Sequence, residues 1–531
     1  VCVLASVLIA TSSAMGAVGH SGEPAAAQQS RTAQWHWVNT WTAMPQLTEP
    51  GNMPPPPFTG SDAVLADTTL RQTVRVSTGG ERVRLRFSNA FGGTALPLTA
   101  VTVALSRDGR AGVSAIEPRS LQRVTFNGRR SATVPVGAQL VSDPLEFDLR
   151  PGTNLTVTAY LAEGQKSLAL TSHPGSRTTS YLRHGDHTTA ADMSGATPTD
   201  HWYLLSDVEV VSRSTTAAVA VLGDSLTDGR GSTTNGNNRW PDQFFDRLQA
   251  HPATADVAVL NQAAGGNRIL NDGLGPGVLA RLDRDILARS GVAWLIVFEG
   301  INDIGTAAAT ETAQRAVTAD LVAAYEQIAV RAHAQGIRVY GATLLPFGGN
   351  TLYDDPAGLR EASRRAVNDW IRTSGIFDAV IDLDRAVRDP ADPRRLRTEL
   401  HDGDWLHLNP EGYRTLAATV PTALPHPAPA LRPHRRLNAA VLPVGARGTV
   451  RPGRSAQADR RYWSGTWMSA PSSRAASRAK EGLRSSSRPS RTASASSLTR
   501  IFSACSVSVM RPTAATGSVA RAFTRAANGT W

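Results

Sequence analysis

The chain has 531 residues, 41% hydrophobic and 19% charged, with a net charge of +11, so there is apolar material for two to four domains with real cores. That charge is local: residues 431–531 hold 18 Lys and Arg against two acids, Asp459 and Glu481, while residues 1–430 hold 37 basic and 42 acidic side chains, a net of −5. A mildly acidic body excludes any inference from charge to nucleic acid or anionic lipid except through the tail. Cys2 and Cys505 are the only cysteines, which excludes a disulfide framework, a thiol nucleophile and a cysteine metal site from everything between them.

Val1 to Ala10 form an apolar stretch, followed by small residues through Ala17 and again at Ala25-Ala26-Ala27. This is the pattern of the apolar and cleavage regions of a secretory signal, so residues 1–30 are expected to be a leader and the protein to be secreted. A basic opening segment and an initiating Met are both missing, so the start reads as trimmed or misassigned. No later apolar run approaches the roughly 20 residues needed to cross a bilayer, and no membrane span is expected.

Residues 31–212 read as an all-β domain. A Trp-rich entry (Trp35, Trp37, Trp41) and a Pro-rich stretch (Pro54 to Pro57) precede alternation with period two from Leu70. Val74 and Val76, then Gly79-Gly80, then Val83, Leu85 and Phe87 predict a hairpin. Val101–Leu105, Gln122–Phe126 and Leu155–Leu161 are further strand candidates, and no helical period emerges from 60 to 210. A jelly-roll-like β-sandwich is expected. Trp37 and Trp41 fit packing better than a sugar platform, although glycan contact through this domain stays open.

Near residue 215 the pattern changes. Apolar runs at Ala217–Leu222, Val257–Leu260, Trp294–Phe298, Ile337–Leu344 and Ala379–Leu383 alternate with helical segments. In one of these Val317, Leu321, Tyr325, Ile328 and Ala332 share a face, and Gly336 ends it. Continuous apolar strands alternating with helices imply a parallel sheet covered on both faces, here over 215–426. From 427 to 531 the sequence is basic and low in complexity, as a disordered segment would be. Within it Trp463-Ser-Gly-Thr466-Trp467-Met-Ser-Ala-Pro471 echoes Trp37-Val-Asn-Thr40-Trp41-Thr-Ala-Met-Pro45. Either a tandem copy of the first domain is read out of frame here, or the tail is a genuine basic one.

Four short segments fall at strand ends of the second region. Gly223-Asp224-Ser225-Leu226 ends the first strand, and Asn261-Gln-Ala-Ala-Gly265-Gly266-Asn267 follows the second. Gly300-Ile301-Asn302-Asp303 follows the third, and Asp404-Trp405-Leu406-His407 precedes the last helix. Carboxyl ends of parallel strands are where open α/β sheets place their chemistry. A serine hydroxyl needs a base, for which His407 is the candidate. Asp404, three residues earlier, is suited to fix its tautomer and stabilise the imidazolium. Asn409-Pro410 reads as an N-cap followed by Pro at the first helical position. Gly266 offers an unobstructed backbone N–H, Asn302 a side-chain NH₂ and Ser225 its own N–H to a developing oxyanion. Asp224 and Asp303 are expected to orient loops, and His401 to lie at the surface or pocket rim. Asn267, Arg268 and Trp240 are candidates for the substrate pocket.

The ordered set resembles the SGNH/GDSL hydrolase family over about residues 215 to 424. Gly231-Ser-Thr-Thr-Asn-Gly-Asn-Asn-Arg239-Trp240-Pro241, with the β-domain in front, is most similar to its secreted aryl- and carbohydrate-esterase-like branch. The resemblance implies an α/β class with a flavodoxin-like α/β/α hydrolase domain behind the β-sandwich. It implies a serine esterase working through an acyl-Ser225 intermediate, with Ser225, Asp404 and His407 catalytic and Ser225, Gly266 and Asn302 as oxyanion donors. No cofactor or metal is expected, and the partner is a small-molecule or polymer ester rather than nucleic acid. A lipid ester hydrolase, or a glycan-binding surface protein with a vestigial hydrolase, are the alternatives.

Overall fold

The computed structural model describes residues 35–423. The expected leader and the basic tail, with its Trp463 and Trp467 echo, lie outside the described residues.

The first part is antiparallel. In chain order its main strands are β1 (Trp35–Thr42), β2 (Thr68–Arg75), β3 (Gly80–Ser88), β4 (Ala100–Leu105), β5 (Gln122–Val124) and β6 (Gln139–Val141). They continue with β7 (Leu145–Leu149), β8 (Asn154–Leu161), β9 (Thr171–His173), β10 (Ser180–His184), β11 (Thr197–Thr199) and β12 (Leu205–Arg213). One sheet runs β1-β12-β3-β7, with β6 also paired to β3; the other runs β11-β10-β2-β8-β4-β5. Alternate residues of both (Leu70, Val74, Leu85, Phe87, Val103, Val157, Val208, Val210) form one buried core. Burying each such side chain is worth about 1.5–3 kcal/mol.

The hairpin expected across Gly79-Gly80 does not form. β2 and β3 belong to different sheets, so the chain crosses between layers there instead of doubling back. The crossing is pinned by Thr40, whose carbonyl accepts from the Ser77 hydroxyl (2.6 Å) and whose hydroxyl accepts from the Thr78 N–H (2.7 Å). Both glycines sit against backbone of the other strands, since a Cβ would stand 2.5 Å from the Leu149 carbonyl at Gly79 and 2.4 Å from that of Val211 at Gly80. The glycine pair reports crowding between strands, a role that alternation alone cannot distinguish from a turn.

The second part is a parallel sheet of β13 (Ala217–Gly223), β14 (Val257–Ala263), β15 (Val292–Phe298), β16 (Arg338–Ala342) and β17 (Ala379–Ile381), in the order β14-β13-β15-β16-β17. This 2-1-3-4-5 order is the flavodoxin-like one, with its switch point between β13 and β15. In register, Gly223 stands opposite Ala263 on one side and Phe298 on the other, so three candidate loops leave the sheet at one level. The helices used below are α1 (Ser225–Asp228), α2 (Trp240–Gln249), α3 (Ile301–Thr306), α4 (Glu311–Ala334), α5 (Leu359–Thr373) and α6 (Pro410–Thr419). Helix α4 buries the expected stripe, Val317, Leu321, Tyr325, Ile328 and Ala332. It ends before Gly336, which adopts φ +72°. No helix among the described residues is long and apolar enough to cross a membrane.

The β-region covers the open edge of the parallel sheet. Edge strand β14 donates its Val259 N–H to the Ser77 hydroxyl (3.0 Å), and its Asn261 carbonyl accepts from the Thr42 hydroxyl (3.2 Å). Val38 of β1 packs into the core of the parallel-sheet part, while Asn39 next to it exchanges hydrogen bonds with Ser290 (3.0 and 2.7 Å).

Candidate active site

Ser225 is the first residue of α1, immediately after the buried β13. Asp224 caps that helix, its carboxylate accepting from the Leu226 N–H at 2.9 Å. The cap fixes the direction of the serine and is itself fully buried. Burial pushes its pKa up to about 7, with Asp303 and Asp228 adding to the rise and the Leu226 N–H opposing it. Gly223 has to be glycine here, because a Cβ would fall 2.3 Å from the Thr227 hydroxyl.

The Ser225 Oγ lies 2.8 Å from His407 Nε2, and His407 Nδ1 lies 2.6 Å from Asp404 Oδ2. The other Asp404 oxygen accepts from the backbone N–H groups of His407 (2.8 Å) and Leu406 (2.9 Å). With a carboxylate on Nδ1 the ring carries its proton there and leaves Nε2 free to accept from serine. Ser225 and His407 are each 8% exposed, so the pair is nearly dry yet reachable.

Electrostatics follow from that burial. Desolvation lowers the His407 pKa most; Asp404 pulls it back, and Arg230 and Arg177 lower it further, leaving it below its ordinary value. For Asp404, burial acts upward, but the His407 ring and the two N–H donors overcome it and hold the acid well below the usual carboxylate range. At neutral pH the arrangement is therefore a neutral imidazole beside an ionised aspartate.

The loop carrying both groups is braced at several points. Trp405, between them, sits at φ +60°, a left-handed conformation uncommon for an aromatic residue. Its ring stacks on His401 at 4.2 Å, with the Arg395 guanidinium 5.2 Å from its centre. Asn350 donates to the Asp404 carbonyl (2.8 Å). Asn409 caps α6 through the Gly412 N–H (2.9 Å), with Pro410 at the first helical position. His401 belongs to this brace, accepting from the Gly403 N–H at 2.9 Å.

Gly266 takes φ +71°, and a Cβ there would lie 2.4 Å from Leu274 Cδ1, so glycine is required twice over. Asn302, 3% exposed on α3, donates one amide hydrogen to the Asn267 carbonyl (2.8 Å) and accepts from the Tyr353 hydroxyl (2.6 Å). That leaves the second amide hydrogen for an oxyanion. Asp303 anchors the same loop, accepting from the Ile269 (2.9 Å) and Leu270 (3.0 Å) N–H groups.

Two of the pocket candidates are placed elsewhere. Trp240 is fully buried in the core and donates to the Thr227 hydroxyl (3.1 Å), so it lines no pocket. Asn267 is 1% exposed, and its amide is used up inside the loop. It donates to the Leu274 (3.1 Å) and Pro276 (3.0 Å) carbonyls and accepts from the buried Arg281 (2.9 Å). Polar and aromatic residues beside a motif resemble pocket residues in sequence, whereas here both hold the Gly266 loop and helix α2 from behind. Arg268 stays half-buried, its guanidinium bonded to the Asp272 carbonyl. The sequence reading missed Tyr353, which no local pattern marks, and Arg177 of the β-region.

Residues 221–415 match the model of the GDSL-like Lipase/Acylhydrolase family. Among solved structures, a protein described as lipolytic and of the G-D-S-L family, from Desulfitobacterium hafniense DCB-2, is 20% identical, covering 38% of this chain and 97% of its own at a TM-score of 0.29. The acetyl xylan esterase AlAXEase is also 20% identical, over 38% of this chain and 96% of its own, at 0.30. A catalytic mutant of an acetylxylan esterase from Geobacillus stearothermophilus is 16% identical, over 38% and 91%, at 0.29. Comparison with curated proteins finds no match.

Proposed function

We propose that the GDSL-like lipase/acylhydrolase domain at 221–415 is a serine esterase that cleaves carboxylic esters through an acyl-Ser225 intermediate. The observation that carries this reading is the unbroken hydrogen-bond chain from Ser225 Oγ through His407 to Asp404, at 2.8 and 2.6 Å.

Ser225 Oγ attacks the ester carbonyl carbon as His407 Nε2 takes its proton, within the distance that general-base transfer requires. The carbonyl oxygen becomes an oxyanion facing the N–H groups of Ser225 and Gly266 and the free amide hydrogen of Asn302. Losing one such donor costs about 10²–10³ in rate. His407 returns the proton to the departing alcohol as the C–O bond breaks, leaving the acyl group on Ser225. Water then attacks with His407 again as base, releasing the acid and restoring the serine. A vestigial site would not be expected to retain nucleophile, base, orienting carboxylate and amide donor together.

Short acyl groups on carbohydrate or aryl alcohols are the substrates this reading favours. What supports this choice is the Gly231–Pro241 segment, with the β-region in front, in its similarity to the esterase-like branch. The natural setting is extracellular on this reading, in keeping with the apolar opening of the sequence. A panel of short p-nitrophenyl esters, acetylated xylan and phospholipid vesicles tests it. Wild type should turn over the first two, and Ser225→Ala should lose nearly all of that activity with an unchanged circular dichroism spectrum. Preference for vesicles would overturn the substrate class, and undiminished turnover by Ser225→Ala would overturn the mechanism.

A further inference from the structure

The β-region touches the catalytic machinery at one buried point. His173, at the end of β9, is 4% exposed and places Nε2 2.9 Å from Asp228 Oδ1. Asp228, 1% exposed, is the last residue of the helix that Ser225 begins, and its other oxygen accepts the Gly265 N–H at 3.0 Å. Gly265 immediately precedes Gly266. One carboxylate thus ties the nucleophile's helix to the oxyanion loop, and a residue more than fifty positions upstream holds that carboxylate.

The ring is held equally firmly from behind. Its Nδ1 lies 3.1 Å from the Met44 carbonyl, and Trp202 stacks on it at 5.8 Å with 27° between planes. Both nitrogens therefore face acceptors. The segment after it seals the pair. A Cβ on Gly175 would stand 1.7 Å from Asp228 Oδ2, so backbone lies directly over the carboxylate, and His201 pins Pro174 through its carbonyl at 2.7 Å. A buried polar pair of this kind is weak evidence for stability in itself. What this pair provides is a fixed acceptor for one loop amide.

We propose that His173 is a positioning residue for ester hydrolysis: by orienting Asp228 it holds the Gly265–Gly266 backbone so that the Gly266 N–H points at the oxyanion, which makes the β-region part of the active site. This rests on the reading of Gly266 as an oxyanion donor. His173 touches no reacting atom, so its loss should act on the rate of the chemical step and leave substrate binding alone.

The test uses the full chain carrying His173→Ala, His173→Gln or Asp228→Asn, with p-nitrophenyl acetate as substrate. His173→Ala should lower kcat by roughly tenfold or more, short of the 10²–10³ expected for losing a donor outright, with KM within about twofold of wild type. His173→Gln retains an N–H donor near the Nε2 position and should recover most of kcat. The Gly265 amide proton resonance should move upfield in His173→Ala and return toward wild type in His173→Gln, a readout that does not depend on turnover. If His173→Ala does not fold, His173→Gln and Asp228→Asn carry the comparison through kcat and the Gly265 resonance. Folded His173 variants with unchanged kcat and an unmoved Gly265 amide would overturn the proposal. A moved amide with no effect on kcat would overturn the catalytic role of the loop instead, and so separates this inference from the function it rests on.

Discussion

At the residue scale, His407 is set by competing fields. Burial depresses His407, Asp404 supports it, and Arg230 and Arg177 depress it further. Because the net shift is downward, the neutral, active imidazole persists below the ordinary value of 6.5 and is lost only as pH falls through a lower midpoint. The profile of kcat/KM for p-nitrophenyl acetate should therefore show its acidic limb below pH 6.5; a limb centred above that value would contradict the assignment of His407 as an imidazole held neutral by burial. Asn302 offers a second check. Burial keeps the Tyr353 hydroxyl protonated, so it donates steadily to the Asn302 oxygen and leaves the amide nitrogen turned to the site. Tyr353→Phe should lower kcat by about tenfold with little change in KM, less than the 10²–10³ for Asn302→Ala. Ser225, Gly266 and Asn302 could be singled out from the sequence because each lies in a short motif that follows a strand, and Asp404 and His407 because theirs precedes the last helix. Tyr353 and His173 could not, since they reach the site from a loop and from a strand end whose positions only the tertiary fold sets. Trp240 and Asn267 show the reverse: adjacency to a motif says nothing about which way a side chain points.

At the element scale, the period of the apolar pattern located most strands to within a few residues and the long helix by its buried face. Pairing was a different matter. Val74, Val76, Val83, Leu85 and Phe87 alternate as a hairpin would, yet β2 and β3 face each other across the core from two sheets. Alternation reports which residues are inward, and inward is the same for both arrangements. The crossing residue Ser77 has a further duty, because its hydroxyl accepts the Val259 N–H of edge strand β14. An uncovered edge is a liability for a sheet, and here the β-region covers it. Ser77→Ala should leave a buried N–H without its acceptor and destabilise the protein by about 1–3 kcal/mol. Denaturant unfolding measures it; a midpoint equal to wild type would show that the edge is held without Ser77.

At the scale of the molecule, sheet and sandwich share buried polar contacts beyond those beside Ser225. Asp207 of β12 accepts from Asn39 (2.9 Å) and pairs with the buried Arg289, while Glu209 accepts from the Ser290 hydroxyl (2.6 Å). Composition could indicate two regions but not this interlock, because the charged residues involved look like surface residues in the sequence. The β-region emerges as a support for the sheet edge, for the loop at Gly265 and for the field around His407. The account as a whole depends on acyl transfer to one hydroxyl at the mouth of β13. Rapid acid quench of the full-length protein during turnover of p-nitrophenyl acetate, followed by peptide mass mapping, tests this directly. The acetyl group should be found on the peptide containing Ser225 and be missing from Ser225→Ala, whereas sustained turnover with no adduct, or with the adduct on another residue, would contradict the mechanism.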